Sequence, residues 1–227
     1  MANVEHSVLT GSDLHEPKGV AAAAANRVYI SNGAGSGSWT TVPAAAITAA
    51  GVLVFQSQLY HIRDERSSGT AADGLTNNTW NTRALQTEKT DDLGITLSGN
   101  QFALPAGTYW CEAETQLYFD AHSGTNAFNG VYAKSRLRNI TDSTTTLIGS
   151  NAMHEVQHQG SSAQGNLQCI LLTNVIGRFT IAGTKTFELQ SWPQTQGSII
   201  LNVLKGGLAL SSGENEVYAD VRIWKLS

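Results

Sequence analysis

The sequence predicts an all-β protein, an antiparallel two-sheet sandwich preceded by an extended N-terminal arm with a small hairpin. Three observations carry that expectation. Residues 102–120, FALPAGTYWCEAETQLYFD, hold the longest clean two-residue alternation in the chain, opened by a turn at Pro105-Ala106-Gly107. Further strand-length segments follow, separated by polar, glycine-containing turns. No segment carries the apolar period of an amphipathic helix.

In the alternating stretch, Tyr109, Cys111, Ala113, Thr115, Leu117 and Phe119 fall on one face. Thr108, Glu112, Glu114, Gln116 and Asp120 fall on the other. Trp110 and Tyr118 interrupt that polar face, as aromatics do either at a sheet edge or where a second subunit lies against the sheet.

Residues 1–55 have few bulky apolar side chains, many alanines and much glycine, so they cannot build a core of their own. Segments 27–31 and 38–42 form a hairpin around the glycine-rich turn 32–37, and 42–51 is a small-residue linker. Such an arm needs a partner or a neighbouring copy to hold it.

Residues 56–227 form the second domain. Strands are expected at 59–65 and 79–85, and a hairpin of 94–97 with 101–104 turns at Ser98-Gly99-Asn100. In 131–139, Val131, Ala133, Ser135 and Leu137 alternate with Tyr132, Lys134, Arg136 and Arg138, which gives a solvated cationic face. Segment 167–181 is apolar on both faces, with Cys169, Leu171 and Val175 against Ile170, Leu172 and Ile176. It must be covered once by its sandwich partner and once from outside. Segments 185–192 and 217–226 supply two more strands.

A net charge of −4 leaves no basic footprint, which argues against nucleic acid and acidic membrane surfaces as partners. No apolar run reaches the ~20 residues of a membrane span. The start MANVEHSVLTGSD lacks a signal-peptide core, so synthesis and use without Sec export are expected. Cys111 and Cys169 sit on apolar faces of expected strands and read as buried free thiols, with a disulfide between them left open.

His154-Glu155-Val156-Gln157-His158 matches the HExxH zinc-protease pattern, which needs both histidines on one helical face. Gly149 and Gly160 bracket it and no helical period surrounds it, so a polar strand or loop is the better reading. In an extended chain two such histidines lie ~13 Å apart and cannot share an ion. Three copies of one histidine around a threefold axis stay open as a metal site. Asp91-Asp92 and Asp64-Glu65 point to opposite strand faces, and GAGSG lacks the lysine of a phosphate loop. No catalytic set assembles, no cofactor is called for, and a non-enzymatic role is expected.

Two resemblances extend this reading. The strand ALPAGTYWCEAETQLY, the hairpin SRLRNITDSTTTLIGS, the segment FTIAGTKTFELQSW and the terminal YADVRIWKLS resemble the trimeric jelly roll of the tumour-necrosis-factor and complement globular-head superfamily, as carried by phage structural proteins. HEPKGVAAAAANRVYISNGAGSGSW resembles an attachment segment at the start of tailed-phage virion proteins. The resemblances imply a jelly-roll homotrimer, assembled in the host cytoplasm and located on the virion. The resemblance is common to capsid and tail proteins, and the expected role is capsid decoration, as a cement or head-fibre protein bound to the major capsid protein, because a fibre usually needs a longer shaft than this chain supplies. A tail-fibre or tail-tip protein that recognises a host surface glycan or protein through loops 67–78 or 121–130 is the alternative. The docking set is His15, Glu16, Pro17, Lys18 and Gly19 with Val28, Tyr29 and Trp39 of the hairpin. Pro17 would lower the ordering entropy and Gly19 permit close approach. Trp110, Tyr118, Ile170, Leu172 and Trp224 are the expected trimer-interface residues.

Overall fold

Segments with one apolar and one polar face must lie on a covered sheet, and the molecule is assembled from such segments. A computed structural model describes residues 27–31, 37–41, 58–123, 129–156, 166–197 and 199–227. The chain divides into two units, Met1–Gln56 and Ser57–Ser227. In the first, β1 (Val28–Ser31) pairs antiparallel with β2 (Gly37–Thr40), Val28 opposite Thr40 and Tyr29 opposite Trp39.

The second unit is all-β and antiparallel. Its strands are β3 (Leu59–Arg66), β4 (Asn81–Thr82), β5 (Thr87–Asp91), β6 (Leu97–Ser98), β7 (Gln101–Leu104), β8 (Gly107–Ser123), β9 (Asn129–Asn139), β10 (Thr144–Val156), β11 (Asn166–Ile181), β12 (Lys185–Gln196), β13 (Ile199–Lys205) and β14 (Glu216–Lys225). Sheet I runs β10-β9-β12-β7-β6, with β4 also on β12; sheet II runs β11-β8-β14-β3-β5, with β13 also on β8. The pairs β9–β10, β8–β11, β7–β12 and β3–β14 nest one inside another along the chain, the order of a jelly-roll-like sandwich.

Several expectations need adjusting. Only Asn81–Thr82 of 79–85 is strand, and the hairpin strand begins at Leu97 rather than Gly94. Its turn is two residues long, with Gly99 at φ 59° and Asn100 at φ 66°, the left-handed pair that matches strand twist. β5 and β13 were not expected: TEKTD is too polar to advertise a strand, and it is held as an edge by β3. The outward face of β9 is half-buried rather than freely solvated.

Both sheets turn their alternating apolar faces inward. Phe102, Phe187, Phe179 and Tyr109 form a chain of rings across the sandwich, with centroids 5.5–6.1 Å apart. A second cluster holds Leu117, Phe119, Ala121, Val131, Ala133, Leu167 and Leu171. Between the two clusters lies a buried hydroxyl belt. Thr115 and Thr173 of sheet II meet Ser135 and Ser191 of sheet I: Thr115 Oγ1 is 2.8 Å from Ser135 Oγ, 2.9 Å from Thr173 Oγ1 and 3.2 Å from Ser191 Oγ. A hydroxyl can both donate and accept, so the four groups can serve as one another's partners.

On one side the sandwich closes tightly. A Cβ at Gly149 of β10 would stand 2.3 Å from the Asn174 carbonyl oxygen of β11, so only glycine lets these edge strands approach. β10 and β11, the terminal strands of the two sheets, thereby lie side by side next to the candidate site.

Candidate functional site

The outward face of sheet II displays a row of large aliphatic side chains. Along β11, even-numbered residues point outward and odd-numbered ones inward, as Leu171, Thr173 and Val175 are buried. Ile170, Leu172 and Ile176 are therefore displayed, at 50%, 51% and 56% exposure. Register extends the face across the sheet: Ile170 lies opposite Tyr118, Leu172 opposite Gln116, Ile176 opposite Glu112 and Arg178 opposite Trp110. Trp110 in turn lies opposite Trp224 of β14.

All five sequence-expected interface residues thus share one face of one sheet. Ile170 and Leu172 are exposed, Trp110 and Trp224 are half-covered, and Tyr118 is buried at 7% exposure. The Trp110 indole N–H donates to Glu112 Oε1 at 2.9 Å. Ile176 belongs to the same row and was left out of the interface set, although the same alternation displays it.

Beyond the tryptophans the face becomes ionic. Asp220 of β14 accepts from Arg63 Nε at 2.6 Å and from His61 Nε2 at 3.1 Å, and Arg222 Nε lies 3.1 Å from its other oxygen. His61 Nε2 also stands 3.2 Å from Arg63 Nε, whose proton is directed to the shorter carboxylate bond, so the Nε2–H tautomer is the one in which His61 donates to Asp220. Burial raises the Asp220 pKa, and the hydrogen bonds from His61 and Arg63 more than offset it, holding the carboxyl below its usual range. None of these ionic partners was legible as a cluster in sequence, because the strands that carry them are far apart in the chain.

The other expected residues fall elsewhere. His15, Glu16, Pro17, Lys18 and Gly19 lie outside the described residues. In the hairpin, Tyr29 and Trp39 pack edge to face with centroids 5.5 Å apart, and Val28 is 40% exposed. His154, Glu155 and Val156 end strand β10, where consecutive side chains alternate, so the helical arrangement required by the zinc motif does not form. His158 and residues 124–128 of loop 121–130 lie outside the described residues, as do 32–36 of the hairpin turn. Among the described residues no group of three or more His, Cys, Asp or Glu is placed to hold a metal.

Cys111 and Cys169 are both free, the first buried and the second half-buried. Cys169 lies opposite Phe119, eight residues along β8 from Cys111, a separation of about 27 Å that no disulfide can span. Burial pushes the Cys111 thiol up to about 12 and the Cys169 thiol up to about 11.

No protein-family model matches the chain, and no curated protein matches it.

Proposed function

We propose that this chain is a non-enzymatic structural protein of a tailed-phage virion, a homotrimer whose jelly-roll-like heads project from the capsid and whose arm, residues 1–55, docks on the major capsid protein. The observation that carries the reading is the exposed Ile170-Leu172-Ile176 row on the edge strand of sheet II. A long edge strand with an apolar outward face is an aggregation hazard unless something covers it. Covering the exposed half of each of these side chains yields about 1 kcal/mol per residue. Identical copies around a threefold axis would do so, and three arms on one trimer would bind multivalently. Weak arm contacts then give slow release. The resemblance of 59–227 to trimeric jelly rolls and of the HEPKG segment to virion attachment segments supports the same reading.

Gold-labelled antibody against the second unit, imaged on intact particles by negative-stain electron microscopy, tests the location. Gold over the head is expected. Gold confined to the tail would move the same trimer to host recognition. Deleting residues 1–40 is expected to abolish particle binding and leave a trimer of unchanged fold.

A further inference from the structure

Assembly through sheet II leaves the outward face of sheet I open, and that face carries a built groove. Two adjacent rows of the sheet supply it. Trp192, Lys134 and Asn151 stand in register across β12, β9 and β10, followed by Gln194, Tyr132 and Met153. With Trp80, which enters from the loop before β4, they line a cleft of about 480 Å³. That volume is in the range of small-ligand sites.

The aromatic part is fixed in place. Trp80 and Trp192 meet edge to face, centroids 5.5 Å apart and planes at 62°. The Arg136 guanidinium lies 4.0 Å from the centroid of the Trp80 ring and is itself held, Nε donating to Gln190 Oε1 at 2.7 Å and Nη1 to Thr145 Oγ1 at 3.0 Å. The Tyr132 hydroxyl donates to Gln196 Oε1 at 2.7 Å. Walls held this way need little ordering when a ligand arrives.

The polar part is unspent. Among the described residues, Lys134, Asn151 and Gln194 have no hydrogen-bond or ion-pair partner for their side chains, and neither indole N–H is engaged. Among the described residues no carboxylate lines the cleft, and Glu155 stands one row beyond Met153. Fixed aromatic rings next to unpaired amides and one unpaired ammonium fit a ligand with an apolar C–H face, several hydroxyls and a negative charge.

We propose that this groove binds an acidic saccharide: the sugar ring packs on the Trp192 and Tyr132 side, its hydroxyls meet Asn151 and Gln194, and its carboxylate pairs with Lys134. The site is separate from the sheet II interface and does not rest on where the protein is located.

The intact chain is titrated with sialyllactose, with trigalacturonate and with lactose as the neutral control, following tryptophan fluorescence and saturation-transfer NMR. Saturable binding of at least one acidic sugar below about 10 mM is expected, with lactose about tenfold weaker or more. Trp192→Ala is expected to abolish the response, and Lys134→Gln, a surface change that leaves thermal unfolding intact, to reduce acidic sugars to the level of lactose. Leu172→Asp, on the opposite sheet, is expected to leave binding per chain unchanged. Failure of both acidic sugars to saturate overturns the proposal, as does wild-type binding by either Trp192→Ala or Lys134→Gln.

Discussion

The two outward faces of the sandwich are made from strands of the same kind, yet they present different chemistry. Sheet I shows aromatic rings set among amides and cations: Trp80, Trp192, Tyr132, Lys134 and Arg136. Sheet II shows a row of bare aliphatic side chains along its edge, Ile170, Leu172 and Ile176, and an ion cluster farther in. The inward faces solve one shared problem, core packing, and so look alike. The outward faces are free of that constraint: an aliphatic edge is suited to another protein surface, and a polar aromatic cleft to a small hydrophilic ligand.

The sharpest way to break the comparison is to place a charge on each face. Leu172→Asp puts a carboxylate in the proposed contact of every copy, where an unpaired buried charge costs several kcal/mol (~3–5), and the assembly is expected to fall to single chains in sedimentation velocity. Met153→Asp, equally exposed at 54% but on sheet I, is expected to leave the mass unchanged.

The belt between the faces comes next. Thr115→Val removes the hydroxyl shared by Ser135, Thr173 and Ser191, leaving buried polar groups short of a partner. A loss of about 1–3 kcal/mol is expected in urea unfolding.

A smaller effect sits on the ionic part of sheet II. Asp220→Asn should cost about 1–2 kcal/mol near neutral pH, since it weakens the half-buried bonds to Arg63 and His61. Because the folded Asp220 pKa is depressed, its contribution is complete above the unfolded carboxylate value of about 3.9 and is lost as pH falls through the lower folded value. Unfolding free energies of the two proteins are therefore expected to converge in acid. Parallel curves down to the lowest pH would remove the ionic part of the account.

The mildest test leaves stability untouched. In the native protein a thiol reagent is expected to modify Cys169 slowly and Cys111 not at all, with both reacting in denaturant.

How much of this was legible in sequence follows from how local each signal is. The inward set of β8, Tyr109 to Phe119, reads directly from alternation, and so does the display of Ile170, Leu172 and Ile176, because side-chain direction in a strand depends only on parity. The I′ turn at Gly99-Asn100 is likewise local. Register is not local. Nothing in the sequence places Trp110 opposite Trp224, or brings Asp220 to His61 and Arg63, which lie 159 and 157 positions before it. The groove was missed for a similar reason. Trp192 and Tyr132 stand on outward positions of expected strands, but Trp80 joins them only because β4 is a two-residue bridge on β12. Strand β5 was missed because its charged composition argues for a loop, and its pairing with β3 overrides that preference.

The central claim is that the Ile170-Leu172-Ile176 face is covered by copies of this chain. Sedimentation velocity of the intact protein at micromolar concentration tests it most directly. The expected species has three times the 24.2 kDa chain mass and does not dissociate on dilution across that range. A single species at 24.2 kDa, soluble and stable with that face bare, would contradict it.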